Sequence, residues 1–376
     1  MTPQKLLLPL ILASVALAQP ETLITGLQGP QKIILTPRGN LLVSETSTAT
    51  FSGRISVVSR QGTRRSLFEG LPSGTEVTGG GSGPSAMALR ERTLYFAMGG
   101  GDVERSGPRP GTSIHNPAGP SSPLFSLIFE ARFTDDIDNV TGTFRPTVQN
   151  LTALHDGAEV ELSDGAGGRV RLSILMRFPQ YEPDPVAINR FSNPWGLALS
   201  ADGRTIFATD ASSNSLVRID TQTGRWRRVV RFPPLPNPIP GGAPVFDAVP
   251  TSVRIYGDSL LVSFLTGFPF VPGYARVMQV NPETGAMDPF IFGLTSSTDI
   301  LWRERPNGSS QFFITEFSVN QSAAPAPPGR LLRFDTPVQQ VAVPVMITPT
   351  SMAYDPATND LFILELRGQI QRLRLE

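Results

Sequence analysis

Cysteine is absent from this chain of 376 residues. That excludes a disulfide framework, a thiolate nucleophile, a zinc ribbon and lipidation at an N-terminal cysteine. Histidine is nearly absent: only His115 and His155 occur. His-rich metal sites and Ser-His-Asp chemistry therefore have few candidates, and neither His accompanies a G-x-S-x-G nucleophile turn. An excess of either charge is also missing. The 32 basic and 32 acidic residues cancel, and charged residues make up only 17% of the chain. A broad electrostatic footprint for nucleic acid is excluded on that balance, as is a polybasic membrane-surface protein. Beyond the N-terminus no apolar run is long enough to cross a bilayer. The glycine runs at 79–83 and 99–101 lack the Lys-Ser/Thr ending of a phosphate-binding loop.

The N-terminus itself carries a leader pattern. Lys5 supplies a positive start, Leu6 to Leu17 is apolar apart from Pro9 and Ser14, and Ala16-Leu17-Ala18 has the A-x-A form of a cleavage site. The pattern predicts a signal peptide over 1–18, a mature chain starting at Gln19, and a secreted or periplasmic protein. The apolar stretch is too short for a full span, so no membrane span is expected after cleavage.

Glycine (35) and proline (36) are abundant and dispersed, which points to many short elements joined by turns and to an all-β chain. A repeat runs through it. Each copy opens on a Pro or turn, continues with an alternating apolar run, turns at a Gly- or Asp-containing step, and ends on a second apolar run closed by an acid or hydroxyl. Pro30 to Glu45 is the clearest copy; others open at Pro194, Pro250, Ser297 and Pro349, with a weaker one at Pro84. Asp-Gly and Asn-Gly at the turns suit tight antiparallel hairpins. A third strand follows each pair, as at Ser215 to Asp220 or Arg330 to Asp335, and a fourth closes the unit, as at Arg64 to Glu69 or Trp226 to Phe232.

Four antiparallel strands about every 50 residues is the blade unit of a β-propeller. Pro84 and Pro194 stand about two such periods apart, so a seven-bladed alternative exists. Six is the preferred count, because 101–192 holds only one clear third strand (Leu124 to Phe129) and no second opening motif. The remainder of that stretch reads as insertions at about 99–123 and 133–168, the second a polar hairpin. The last copy stops after three strands, and the segment Glu21 to Leu27 can supply its fourth, closing the ring within a single domain over 19–376.

One stretch is distinctive: Leu265-Thr266-Gly267-Phe268-Pro269-Phe270-Val271-Pro272-Gly273-Tyr274-Ala275-Arg276-Val277. It resembles the ScyD/ScyE family of propellers, NHL/SMP-30-like six-bladed proteins with members encoded beside scytonemin biosynthesis genes. Tyr181-Glu182-Pro183 followed by Ser192-Asn193-Pro194-Trp195-Gly196 is similar to a second segment of that family, with Trp195 where the family has Tyr. Tyr95 to Gly101 is a weaker match. Ser85-Ala86 departs from the His-Asp or His-Gly that similar propellers often carry there. The resemblance implies the fold and does not imply a reaction.

Two sets of residues are candidates for a site. The acids ending second strands, Glu45, Asp210, Glu316 and Glu365, occupy equivalent positions around the axis. Convergent, they would form a Ca²⁺ site of the kind calcium-dependent lactonase propellers use; otherwise each accepts hydrogen bonds from its own blade's turn. The aromatic loop with Phe268, Phe270 and Tyr274, together with Asn193 and Trp195, either rims an apolar ligand pocket or caps blade cores. Asp135, Asp136, Asp138, Asp156 and Asp164 have no calcium-loop spacing and read as solvated surface. The leading expectation is an exported propeller that binds a small molecule or a periplasmic or extracellular protein at one face, without catalysis of its own. The alternative is an enzyme at the channel mouth, either a metal-dependent hydrolase or lactonase or a quinone-dependent dehydrogenase. A third reading is a scaffold within an assembly.

Overall fold

The computed structural model describes residues 19–108, 112–179, 191–341 and 345–375. The leader at 1–18 and the Tyr181-Glu182-Pro183 motif lie outside them. Six antiparallel sheets follow one another along the chain. Blade one is built from Pro30–Leu35, Leu41–Glu45, Gly53–Val58 and Arg64–Leu71. Blade two comprises Pro84–Arg90, Thr93–Met98, Leu127–Phe133 and Arg169–Arg177, with Val160–Ser163 as a fifth, outer strand. Blade three is Pro194–Leu199, Thr205–Asp210, Ser215–Asp220 and Trp226–Arg231. Blade four is Pro250–Tyr256, Ser259–Phe264, Ala275–Val280 and Met287–Leu294. Blade five is Ser297–Glu304, Ser310–Glu316 and Gly329–Thr336, edged by the short Gln339–Val341 and Val345–Met346. Blade six is Pro349–Asp355, Asp360–Glu365 and Gln369–Arg374. Its fourth strand is Glu21–Ile24 from the other end of the chain, antiparallel to Gln369–Arg374 with Glu21 opposite Arg372.

The first strand of every blade lies against the first strands of both neighbours, and the sixth returns to the first, so the ring is closed. Burial follows the same geometry. Alternating apolar residues on the two faces of each sheet meet those of the next sheet, giving six separate clusters, one per pair of adjacent blades. The core is thus radial, and the axis is left to polar groups.

One hydrogen bond recurs in all six blades. The residue after the second strand donates its backbone N–H to the carbonyl of the residue before the first strand: Thr46 to Gly29, Gly99 to Gly83, Ala211 to Asn193, Leu265 to Val249, Phe317 to Ser296 and Leu366 to Thr348. In four of them the accepting residue is left-handed, with φ of 50° at Gly29, 52° at Val249, 48° at Ser296 and 53° at Thr348. That conformation is costly for β-branched Val and Thr. A break in pairing register follows the opening residue of every first strand, a bulge that re-aims the following side chains toward the axis.

The second insertion departs from the expected hairpin. Val148–His155 is a helix, started by Thr147, whose side chain and that of Asn150 cap each other's backbone N–H groups. Its buried Leu151 and Leu154, with Phe144 and Ile137, extend the cluster between blades one and two. Phe144 pairs with Phe68 across a parallel bridge, ring centroids 5.4 Å apart. Asp138 accepts hydrogen bonds from Thr36, Asn40 and the backbone of Arg38, tying the insertion to the first turn of blade one. The third strand of blade two spans Leu127–Phe133, three residues later than the sequence pattern suggests. Among the described residues no helix is long and apolar enough to cross a membrane.

Candidate functional site

All six first strands begin on one face of the ring. The loops leaving the second strands surround that face. There the structure encloses a cavity of about 770 Å³. Its walls come from the start of blades three and four, Ala211 and Ser212 after the second strand of blade three, the loop after Phe264, Glu76–Thr78 between blades one and two, the excursion of blade two that includes the paired segments Glu104–Ser106 and Ser113–His115, and Gln321 of blade five.

Trp195 stands in this wall because of its place in the repeat. It is the second residue of its first strand. At that position Ser85 donates to the Pro194 carbonyl at 2.7 Å, Thr251 to Ser297 at 3.0 Å, Thr298 to Pro349 at 2.9 Å and Thr350 to Pro30 at 3.4 Å. Each hydroxyl ties its blade to the next. Trp195 breaks that series and lines the cavity with an indole instead. Asn193, just before it, is fixed at three points. Its side-chain oxygen accepts from Gly100 N–H at 2.9 Å, its N–H donates to Asp210 at 2.8 Å, and its carbonyl accepts from Ala211.

The loop after Phe264 is laced to the strand entering blade four by the N–H groups of Leu265, Thr266 and Gly267, which donate to Val249, Ala248 and Asp247. A Cβ on Gly267 would come within 3.2 Å of Asp247, so glycine permits the close approach. Thr266 is left-handed at φ 74° and only 1% exposed, yet its hydroxyl makes no hydrogen bond. Phe268 is 52% exposed, and its ring stands perpendicular to that of Phe270 at 6.1 Å; both line the cavity. Tyr274 does not. Its ring packs edge-on against Phe246 at 5.7 Å, outside the wall. The structure thus brings four of the five aromatic and amide candidates together.

The four strand-end acids are not brought together. Each is buried and engaged within its own blade. Glu45 accepts from Gln28 N–H at 2.6 Å, from Ser56, and from Arg64 at 2.8 and 2.9 Å. Asp210 accepts from the N–H groups of Asn193 and Ser213. Glu316 accepts from Thr295 N–H at 2.6 Å and from Arg330, and Glu365 from Ile347 N–H at 2.5 Å and from Gln369. These carboxylates latch the chain entering a blade onto the second strand of that blade. Among the described residues no three His, Asp or Glu side chains form a group able to hold a metal ion, so the alternative of a Ca²⁺ ring has no donor set among them, and the hydrogen bonds run within each blade. His115 and His155 are exposed. Asp164 is not solvated surface: it is buried, capping its own turn by accepting from Ala166 and Gly168 and tying in the distant Gly142 N–H.

Sequence reasoning passed over two features. The first is a group of acids at the cavity. Its described lining includes Glu76 and Asp247 and no Lys or Arg. Glu104 lies close behind them. Burial pushes its carboxyl up to about 7, against a hydrogen bond from Ser113, and the carboxyls of Asp210, Glu76 and Asp247 raise it further. One Glu104 oxygen, Oε2, is buried without a hydrogen bond. Enclosure also raises Glu76, opposed by the Thr78 hydroxyl, and burial raises Asp210.

The second feature is the axis. The third residue of each first strand points there: Lys32, Ala86, Gly196, Ser252, Asp299 and Ser351 all border a cavity of about 20 Å³, room for roughly one water. Lys32 reaches across the ring, its ammonium donating to the Thr251 and Thr298 carbonyls at 3.1 and 3.4 Å. Asp299 is fully buried and accepts from Ser252, Ser351, Arg254 and the N–H of Met352. The small Ala86 and Gly196 leave room for the lysine; a Cβ on Gly196 would lie 2.7 Å from the Thr209 hydroxyl. Burial lowers the Lys32 ammonium to about 8, with Asp299 opposing and Arg254 adding to the shift. A signal existed in the sequence. Lysine occurs only at positions 5 and 32, and aligning the copies by their openings puts Lys32 and Asp299 in a column otherwise occupied by small residues.

No protein-family model matches this chain, and no curated protein sequence matches it either. Solved structures do resemble it. A Bacteroides thetaiotaomicron protein of unknown function aligns over 95% of this chain and 72% of its own, with 10% identity and a TM-score of 0.51. A gluconolactonase from Xanthomonas campestris aligns over 94% and 89%, with 14% identity and a TM-score of 0.51. A Thermus thermophilus protein provisionally named as an oxidoreductase (glucose dehydrogenase) aligns over 94% and 99%, with 14% identity and a TM-score of 0.50. At such identities the likeness carries the fold alone: this chain is a six-bladed β-propeller of the kind those proteins share.

Proposed function

We propose that this chain is an exported propeller of the ScyD/ScyE type that binds a small molecule in the cavity on the face where its first strands begin. Trp195 carries the reading. Four of the other five blades place at that position a hydroxyl that ties neighbouring blades together, and blade three gives up the tie for an indole in the wall of a large cavity. The volume suits a drug-sized molecule, and a mostly apolar wall with a few fixed polar groups is the usual make-up of a ligand site. Asn193 is such a group, held by three hydrogen bonds and presented beside the indole. Export is supported by the leader pattern over 1–18, and family membership by the Leu265–Val277 stretch, part of which forms the cavity wall.

The test is a thermal-shift screen of small molecules against the wild-type chain and Trp195→Ala. A ligand that binds only the folded state at about 100 times its dissociation constant adds about 2.7 kcal/mol of stability. Hits that shift the wild type and not the variant are expected. Shifts that survive in the variant would place binding elsewhere. A second reading, lactone hydrolysis, is favoured by Glu104, whose carboxyl near 7 suits a general acid or base. Glucono-1,5-lactone hydrolysis, measured with and without Ca²⁺, separates the two: turnover above buffer that falls on Glu104→Gln would favour the enzyme.

A further inference from the structure

We propose that the ligand of this cavity carries a hydroxyl group on an apolar ring body, and that Thr266 and Gln321 accept the hydrogen bond it donates. The inference rests on reading the cavity as a ligand site and adds the chemistry that its wall selects. Among the described residues, the neutral side-chain groups that are buried without a hydrogen-bond partner are those of Thr209, Thr266, Ser296, Ser297 and Gln321. All five belong to blades three, four and five, at or beyond the strand ends on the cavity face; Thr266 and Gln321 line the cavity itself. Such groups are uncommon, and each costs the folded protein free energy until something satisfies it. Thr266 bears a second cost. It is left-handed at φ 74°, a conformation that a β-branched residue rarely adopts. Glycine would relieve that backbone, yet the glycine of this loop stands one position later, at Gly267. Two penalties therefore fall on one side chain at the wall of the largest space in the described structure, and its hydroxyl has no partner within the protein.

Gln321 is held beside the aromatic loop, because its neighbour Ser322 donates to the Pro269 carbonyl. Thr266, Phe268, Phe270 and Gln321 thus border the cavity from two loops that touch, and Trp195 adds its indole to the same wall. The rings cover an apolar body. An amide oxygen only accepts, whereas a threonine hydroxyl both accepts and donates. A group that satisfies both of them has to bring a proton. A ligand hydroxyl does so, and its own oxygen can take the Thr266 proton in return. Rotation about χ1 of a threonine exchanges methyl and hydroxyl between staggered positions, so a threonine at the wall can turn its hydroxyl to a molecule held there.

The test compares three probes built on one ring system: 2-naphthol, 2-methoxynaphthalene and 2-methylnaphthalene. The first donates a hydrogen bond, the second only accepts one, and the third does neither. Binding to the full chain is measured by equilibrium dialysis. 2-Naphthol is expected to bind about tenfold more tightly than either of the others, the net worth of a hydrogen bond that also satisfies a buried orphan. In Thr266→Val/Gln321→Met that preference should fall toward one while 2-methylnaphthalene affinity holds, with the unfolding midpoint confirming that the variant is folded. Thr266→Ser, which keeps the hydroxyl, should keep the preference. The midpoint of unliganded Thr266→Val should equal or exceed that of the wild type, because the variant loses a hydroxyl that has no partner. Binding of 2-methoxynaphthalene or 2-methylnaphthalene as tightly as 2-naphthol, a preference unchanged in the double variant, or a lowered midpoint in Thr266→Val would overturn the hydroxyl inference and leave the cavity reading standing. Failure of all three probes to bind the folded wild type would overturn both.

Discussion

Titration of Lys32 should make this protein more stable as the solution turns alkaline. The ammonium is buried on the axis and held near a pKa of about 8, against 10.5 for an unhindered lysine. Between those two values the unfolded chain carries a proton on Lys32 that the folded chain has released. Raising the pH through that window therefore favours the folded state. The gap amounts to about 3 kcal/mol at roughly 1.4 kcal/mol per pKa unit. The gain is absent below pH 8 and complete near 10.5. Lysine occurs at only two positions, so Lys5→Arg in the full chain leaves one lysine to observe. With lysine labelled at the ε position, nuclear magnetic resonance should show a single side-chain signal titrating near 8. The unfolding free energy in urea, compared with that of Lys32→Met on the same background, should rise by about 3 kcal/mol between pH 8 and 10.5. A signal titrating at the ordinary lysine value, or parallel pH profiles for the two proteins, would refute the burial argument.

Asp299→Asn leaves Lys32 and Arg254 facing each other without their shared anion, and removal of one partner from such a buried set costs about 3–5 kcal/mol; urea unfolding measures it, and a loss under about 1 kcal/mol would mean the axis tolerates the charge. Trp195→Thr should restore the missing tie between blades three and four, raise stability by about 1 kcal/mol, and abolish ligand binding; a variant that is less stable and still binds would contradict the assignment of that position. Phe144→Ala removes a fully buried ring between the insertion and Phe68, at a cost of about 3–5 kcal/mol. Hydrogen exchange should then rise along Val148–His155, and unchanged protection there would show that the helix docks without the ring. Deletion of Glu21–Ile24 bares the edge of Gln369–Arg374, and an open edge invites pairing with another chain; gel filtration should show association, and a stable monomer would count against the strand as the closure.

The blade repeat was legible because its opening residue, turn and closing acid recur at nearly fixed offsets, and those offsets are enforced by local hydrogen bonding. Pro30 to Glu45 spells out two strands, a tight turn and a latch, and the structure has all four. The closing role of Glu21–Ile24 followed from counting strands in the last copy. The helix at Val148–His155 was missed although Thr147 and Asn150 form a capping pair, because a short helix whose stability comes from docking has little periodicity of its own. The aromatic candidates were found because Phe268, Phe270 and Tyr274 crowd one loop between strands and Trp195 follows the Asn-Pro step that opens a blade. Glu76, Glu104 and Asp247 were not, since they lie in three separate stretches of chain outside the repeat that only the closed ring brings near one another. Tyr274 illustrates the limit of loop composition: its neighbours face the cavity, but its own ring finds Phe246 instead.

Joining the ends of the chain in blade six has a temporal consequence. During synthesis the first strand to emerge has no partner until the last one is made, some 350 positions later as the hydrogen bond between Thr22 and Gln371 records. Five sheets can form from contacts within their own stretch, whereas the sixth must wait, and bringing its two halves together carries the largest loop-closure entropy in the molecule. Until then the propeller is an open arc with a bare strand at its seam, and whatever escorts the nascent chain has that one seam to protect.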